Sequence, residues 1–244
     1  MNLIIDLGNT NQKLALFKNG ELIELQQFPL LTLKLIRDFV HMNPDIGNCI
    51  LSSVVPHRSS VTRFLSSNYN FLELNEATPV PLINRYRTPR TLGKDRLAAA
   101  VAGNALFPGK TVLVINAGTC ITYDFVNENN EYLGGSISPG ILMRFHALHT
   151  FTGKLPLVSF RDEDILTGTD THESIRSGVL LGAIAEIEGI TARYRKKYTD
   201  LTVILSGGDQ KYFDKRLKIS IFARPNIVLH GLQQILAFNV NNPK

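Results

Sequence analysis

A carboxylate at the end of an apolar run, followed at once by a tight polar turn, can hold a metal ion and a phosphate together. Residues 1–18 contain such a combination. The apolar run Leu3 to Ile5 ends in Asp6, Gly8, Asn9, Thr10 and Asn11 make the turn, and Lys13 to Phe17 starts a second strand. The turn offers backbone N–H groups and a hydroxyl to a phosphate, while the carboxylate can hold a hydrated magnesium ion. Residues 111–133 repeat the plan: Val112 to Ile115, then Asn116, Gly118 and Thr119, then a strand through Tyr123 to Val126. Two related grips about 110 residues apart predict a duplicated nucleotide-binding fold with the ligand between its halves.

Further stretches carry chemistry with a structural reading beside each functional one. Asp95 and Arg96, in Thr91-Leu92-Gly93-Lys94-Asp95-Arg96, lie at a helix N-terminus. Asp95 either supports that helix electrostatically or acts as a general base, with Arg96 as an anion clamp. Gly134 to Gly140 is a tight loop or a place where backbone closely approaches a substrate or a second subunit. Thr171 starts a helix as its N-cap, or touches a ligand. Ser206-Gly207-Gly208-Asp209 is a turn, or backbone brought against a nucleoside. The histidines (His41, His57, His146, His149, His172, His230) show no metal spacing.

The elements that must position these residues are legible in outline. Asn19-Gly20 signals a type I′ hairpin, with another apolar strand after it. Leu33 to Met42 has helical spacing, Cys49 to Val55 reads as a buried strand, Arg58 to Ser67 as a helix and Asn70 to Leu74 as a strand. A long Pro-punctuated connection runs from Glu76 to Thr91, before an alanine-rich helix from Gly93 to Leu106. In the second half, helices are expected over 141–150, 171–197 and 232–238, with a strand at 202–205. Strands alternating with helices in both halves argue for α/β, divided into domains 1–109 and 110–244.

Composition excludes several classes. The chain has 244 residues, 44% of them hydrophobic, enough for a sizeable core. A net charge of +5 with scattered lysines and arginines gives no basic stripe with aromatic platforms, so no nucleic-acid partner is expected. A diffuse positive field suits an anionic substrate such as a nucleotide. Cys49 and Cys120 sit in apolar runs and read as buried thiols of a reduced, cytoplasmic protein. No apolar run is long enough to span a membrane, and no secretory signal is present.

In this order the pieces resemble the type III pantothenate kinases, of the superfamily that includes acetate kinase, sugar kinases and actin. The resemblance rests on Asp6-Leu7-Gly8-Asn9-Thr10, Leu92-Gly93-Lys94-Asp95-Arg96, Ala117-Gly118-Thr119, Gly134-Gly135-Ser136-Ile137-Ser138-Pro139-Gly140, Thr171-His172-Glu173-Ser174-Ile175 and Ser206-Gly207-Gly208. It implies duplicated actin-like (ribonuclease H-like) domains with a nucleotide cleft between them. It implies phosphorylation of pantothenate by ATP, the first committed step towards coenzyme A. Magnesium, a monovalent cation such as potassium or ammonium, and a cytoplasmic homodimer come with it.

Residue by residue, the resemblance assigns Asp6, Leu7, Gly8, Asn9, Thr10, Asn11, Gln12 and Lys13 to the ATP phosphates and magnesium, and Thr119 to ATP. It gives pantothenate to Tyr86, Gly93, Lys94, Asp95 and Arg96, with Asp95 as the base, and to Thr171 from the partner subunit. Asn116 stands where the family usually has an aspartate associated with the monovalent cation. Asparagine keeps an oxygen ligand but loses the charge, which predicts weaker cation binding. Lys94, where many members have a small residue, is a lesser departure. Two other readings of the same fold are a non-catalytic ATP-binding regulator and an actin-like filament protein. The kinase-type Gly93-Lys94-Asp95-Arg96 segment has no role in a filament.

Overall fold

Leu3, Ile5 and Leu7 alternate with Ile4 and Asp6, and this period of two forms strand β1 (Asn2–Leu7) in the computed structural model, which describes residues 1–242. It is followed by β2 (Gln12–Lys18), β3 (Glu21–Phe28), α1 (Leu33–Met42), β4 (Asn48–Ser53), α2 (Ser59–Asn68), β5 (Asn70–Glu73), β6 (Ile83–Asn84) and α3 (Lys94–Leu106). Then come β7 (Val112–Ala117), β8 (Cys120–Val126), β9 (Glu131–Pro139), α4 (Ile141–Thr150), α5 (Thr171–Lys197) and β10 (Thr202–Ser206). The chain closes with α6 (Gln210–Asp214), β11 (Phe222–Ala223) and α7 (Ile227–Asn241). Two compact units result: the first takes 1–108, 130–133 and the segment from Asn226; the second takes 109–129 and 134–225.

In the first unit the sheet order is β3-β2-β1-β4-β5, with β1 antiparallel to β2 and parallel to β4. The β2–β3 hairpin turns at Asn19 (φ 53°) and Gly20 (φ 83°), both in the left-handed region that a type I′ turn needs. One face (Leu3, Ile5, Leu7, Leu14, Leu16, Leu51) packs on Ile36 and Phe39 of α1 and Val61 and Leu65 of α2. Helix α1 starts where Thr32 accepts a hydrogen bond from Leu35 N, 3.3 Å away. The opposite face of the sheet receives α7, which packs extensively on α3. Amide side chains tie that helix down: Asn70 donates to Asn48 (3.0 Å), Asn48 to Asn2 (2.9 Å), and Asn2 to Gln233 of α7 (3.1 Å). The closing helix, read from sequence as 232–238 in the second half, is therefore longer and belongs to the first unit.

The second unit repeats the central arrangement. Its strands run in the order β11-β10-β7-β8-β9, with β7 antiparallel to β8 and parallel to β10. Leu113, Ile115, Ile121, Tyr123 and Phe125 pack on Ile141 and Phe145 of α4 and on Ile175, Val179 and Ala183 of α5. Gly134 to Pro139, expected as part of a loop, instead continue β9 up to the start of α4. Among the described residues, no helix is long and apolar enough to cross a membrane.

Candidate active site

In the first unit, strand register decides which side chains meet. Asp6 pairs with Lys13 on β2 and with Ser52 on β4, so the three share a row at the end of the sheet face that carries α7. Asp6 is 9% exposed and Ser52 is fully buried, its hydroxyl without a hydrogen-bond partner among the described residues. Burial pushes the Asp6 carboxyl up to about 6; the Lys13 ammonium opposes this and the Asp95 carboxylate adds to it. Asp95 thus reaches Asp6 electrostatically from the first turn of α3, where the helix dipole favours a negative charge. A buried carboxylate with a second one in range is a place that a dication relieves, and this donor chemistry fits magnesium.

Next along α3, Arg96 is buried, its guanidinium 5.8 Å from the ring centroid of Tyr86. Tyr86 stacks in turn on Tyr132, with centroids 6.1 Å apart and an interplanar angle of 24°. The segment bearing Tyr86 is pinned beneath: β6 pairs with the start of β9, Arg85 N donates to Tyr132 O (3.0 Å), and Arg85 bridges Glu131 (2.8 Å). The long connection therefore presents a fixed aromatic–cation wall next to Asp95. Gly93 is the N-cap of α3 and Lys94 its first residue.

The turn after β1 sorts the remaining expected contacts. Gly8 is half-buried and Asn9, Thr10 and Asn11 are exposed, so backbone and side chains there can face a phosphate. Leu7 lies in the hydrophobic core. Gln12, expected at the phosphates, points its side chain elsewhere: its Oε1 accepts from Leu31 N at 2.6 Å.

In the second unit the equivalent row is Asn116 with Thr122 and Ser206, in the same register pattern. Thr122 is buried, its hydroxyl without a hydrogen-bond partner among the described residues. Thr119 is exposed at the tip of the β7–β8 turn, which closes through Gly118 N to Cys120 O at 2.9 Å. Two glycines press on this turn. A Cβ at Gly140 would stand 1.9 Å from Gly118 O, and one at Gly207 (φ 103°) would stand 2.0 Å from Ala117 O. The close approach read from both Gly-rich segments is thus an approach to the chain's own second turn. Asp209, after the second glycine, has its carboxyl raised by burial.

Thr171 is the first residue of α5, and the cap is Asp170, whose carboxylate accepts from Glu173 N at 2.8 Å. The cap sits one residue earlier than the sequence suggested, because Asp170 adopts the extended backbone a cap requires. Thr171 is exposed and lines a cavity of about 900 Å³ with Arg144, Leu148, Leu155, Ser174 and Ile175.

Sequence reasoning missed Ser52, Tyr132 and Glu186. The Glu186 carboxylate, on α5, accepts from Tyr123 OH (2.9 Å), Ser138 Oγ and Arg144 Nη2. Burial raises its carboxyl, but the bonds from Ser138, Arg144 and Tyr123 outweigh that and hold it below the ordinary glutamate range. The sequence signal was Glu186 directly after the apolar run 179–185, with Glu188 two residues on.

Comparison with known proteins places the chain in a family. The family model for type III pantothenate kinase matches residues 2–193. A type III pantothenate kinase of Phocaeicola vulgatus is 46% identical over 240 residues, covering 98% of this chain and 99% of that protein. A solved structure from Campylobacter jejuni, described as a Baf family transcriptional activator, has a TM-score of 0.63 at 20% identity, covering 98% of this chain and 99% of that one. A glucokinase from an Antarctic psychrotroph has a TM-score of 0.51 at 13% identity, covering 97% and 98%. At these identities the two structures speak to fold alone, and the fold is the duplicated actin-like arrangement of the sugar kinases.

Proposed function

The chain belongs to the type III pantothenate kinases, and on that footing we propose that it transfers the terminal phosphate of ATP to the hydroxyl of pantothenate, the first step of coenzyme A biosynthesis. The observation that carries the reading is Asp95 held within electrostatic range of the buried Asp6, with Arg96 and Tyr86 beside it. Asp95 accepts the hydroxyl proton as the oxygen attacks phosphorus. Arg96 clamps the pantothenate carboxylate, and Tyr86 walls the pocket together with Gly93 and Lys94. Lys13 and the backbone of the Gly8–Asn11 turn hold phosphate oxygens. Asp6 would hold magnesium, which neutralises phosphate charge when bound.

Thr119 is assigned to ATP and Asn116 to a potassium or ammonium ion, bound more weakly than by an aspartate. Thr171 is assigned to pantothenate of the neighbouring subunit in a homodimer, and its exposure beside a cavity supports that role. A mass near twice 27.2 kDa in light scattering is expected, in a cytoplasmic enzyme.

A coupled assay with ATP, pantothenate and ammonium tests the reading. Asp95→Asn should lower turnover by about 10²–10⁴ while leaving ATP affinity within a few fold. Near-normal turnover in that variant would remove Asp95 from its role. A wild-type protein that binds ATP without turning it over would favour the regulator reading, which rests on Asn116 alone.

A further inference from the structure

Three elements converge on the Glu186 carboxylate, through donors outside the residues assigned to ATP or pantothenate: β8 through Tyr123, the end of β9 through Ser138, and α4 through Arg144. Arg144 also donates from Nε to Pro139 O at 2.8 Å. Ser138 and Pro139 are therefore fixed one after the other. The next residue is Gly140, whose N–H donates to Thr119 O at 3.0 Å and whose Cα leaves no room for a Cβ against Gly118 and Thr119. The contacts form one continuous chain from Glu186 through Ser138 and Arg144, then Pro139 and Gly140, to the turn of Gly118 and Thr119.

We propose that Glu186 is a positioning residue for the nucleotide, setting the Gly118–Thr119 turn through Ser138, Pro139 and Gly140. The proposal rests on the assignment of Thr119 to ATP. Packing alone does not explain the arrangement. Its neighbours Ala183 and Ile187 on α5 belong to the apolar core, and a half-buried ion pair is seldom more stabilising than an apolar replacement of similar size. What the charge provides is geometry, because a carboxylate accepting from three donors admits one arrangement of the strands that carry them. Arg144 and Pro139 also line the cavity next to Thr171, so the competing possibility is that the network serves the pantothenate side.

The test is ATP binding to the full-length protein, measured directly by calorimetry, together with steady-state KM and kcat. Glu186→Gln should raise the ATP Kd about tenfold, since misplacing a positioning group by an ångström costs up to about a hundredfold. The KM for pantothenate should stay within twofold. Tyr123→Phe and Ser138→Ala each remove one bond and guard against a Glu186→Gln protein that does not fold. They should raise the ATP Kd less, and combining Ser138→Ala with Glu186→Gln should add little further, because both act through one contact. An unchanged ATP Kd in the folded variants would overturn the proposal. So would a shift in pantothenate KM instead, or a uniform loss of both affinities with melting temperature. Wild-type protein that fails to bind ATP would overturn the nucleotide assignment itself and this proposal with it; wild-type binding with unshifted variants overturns the proposal alone.

Discussion

The two turns are built on the same three-strand plan yet are held in opposite ways. In the first, Asp6 meets Lys13 and Ser52; in the second, Asn116 meets Thr122 and Ser206. The first row carries charge, and burial has pushed its carboxyl to about 6. Its turn is loosely shaped: a Cβ at Gly8 would stand 2.8 Å from Asn11 O, an atom of an exposed residue. The row at the second turn is neutral, and that turn is pressed by Gly140 and Gly207 and braced through Glu186. One turn carries a buried carboxylate opposed across the row by Lys13; the other is a preformed shape. Duplication supplied one scaffold, and the residues at equivalent register positions divided the work.

The largest effect expected from this contrast is at Asp6. Asp6→Asn removes the carboxylate proposed to hold magnesium and should lower kcat/KM on the order of a hundredfold or more. Stability should move differently. The folded carboxyl titrates near 6, above its ordinary 3.8, so the charged form is the one that folding penalises. That penalty is about 3 kcal/mol at neutral pH. As pH falls through 6 the folded group takes up a proton that the unfolded group does not yet bind, and the wild type gains stability. The gain is complete below the unfolded value. Without ligand, wild type should therefore gain roughly 1–2 kcal/mol on Asp6→Asn between pH 7.5 and pH 5 in urea unfolding. Parallel pH profiles for the two proteins would show that Asp6 is not charged at a cost.

The second effect separates shape from charge. Gly140→Ala places a methyl group against the backbone oxygens of Gly118 and Thr119, 1.9 Å and 2.6 Å away, which cannot rotate aside. Overpacking of this kind destabilises by about 1–3 kcal/mol, and displacing the Thr119 turn should weaken ATP binding as well. Gly8→Ala meets one oxygen of an exposed turn and should lower the melting temperature less. If calorimetry gives the two substitutions equal losses, the second turn is no more rigid than the first.

How much of this could be read in the sequence follows the same division. The charged turn was legible, because Asp6, the Gly8–Asn11 turn and Asn19-Gly20 signal through residues close in sequence, and helix α3 announced itself between Gly93 and Pro108. The preformed turn was only half legible. The glycines of 134–140 read as a loop because glycine and proline are poor strand formers, whereas β9 persists through Gly134 to Pro139. Gln12 read as a phosphate contact because it adjoins the turn, and only the fold shows it bound to Leu31 N. Tyr132 and Glu186 meet Tyr86 and Ser138 across 46 and 48 residues of chain respectively, and helix α7 returns to the first unit from the far end. No local pattern encodes such contacts.

The smallest effect concerns making the two rows alike. Asn116→Asp restores to the second row the charge that the first row has at Asp6, and a carboxylate should attract potassium or ammonium more strongly than an amide oxygen. The register limits that gain. Asp124 pairs with Val114, two residues from the Asn116–Thr122 pair on the same sheet face, and it is fully buried. Diagonal neighbours of this kind lie about 7–8 Å apart, so the new carboxylate would sit within range of a second buried carboxyl group, which limits the charge the row gains. Potassium also accepts neutral oxygen ligands in kind. The wild type should therefore be active, with half-activation at a higher potassium concentration than in Asn116→Asp, by a few fold rather than by orders of magnitude. Titrating both proteins with potassium chloride against choline chloride at fixed ionic strength measures the difference. Superimposable curves would mean that this side chain does not tune a cation site, and that the second row's neutrality matters only to its shape.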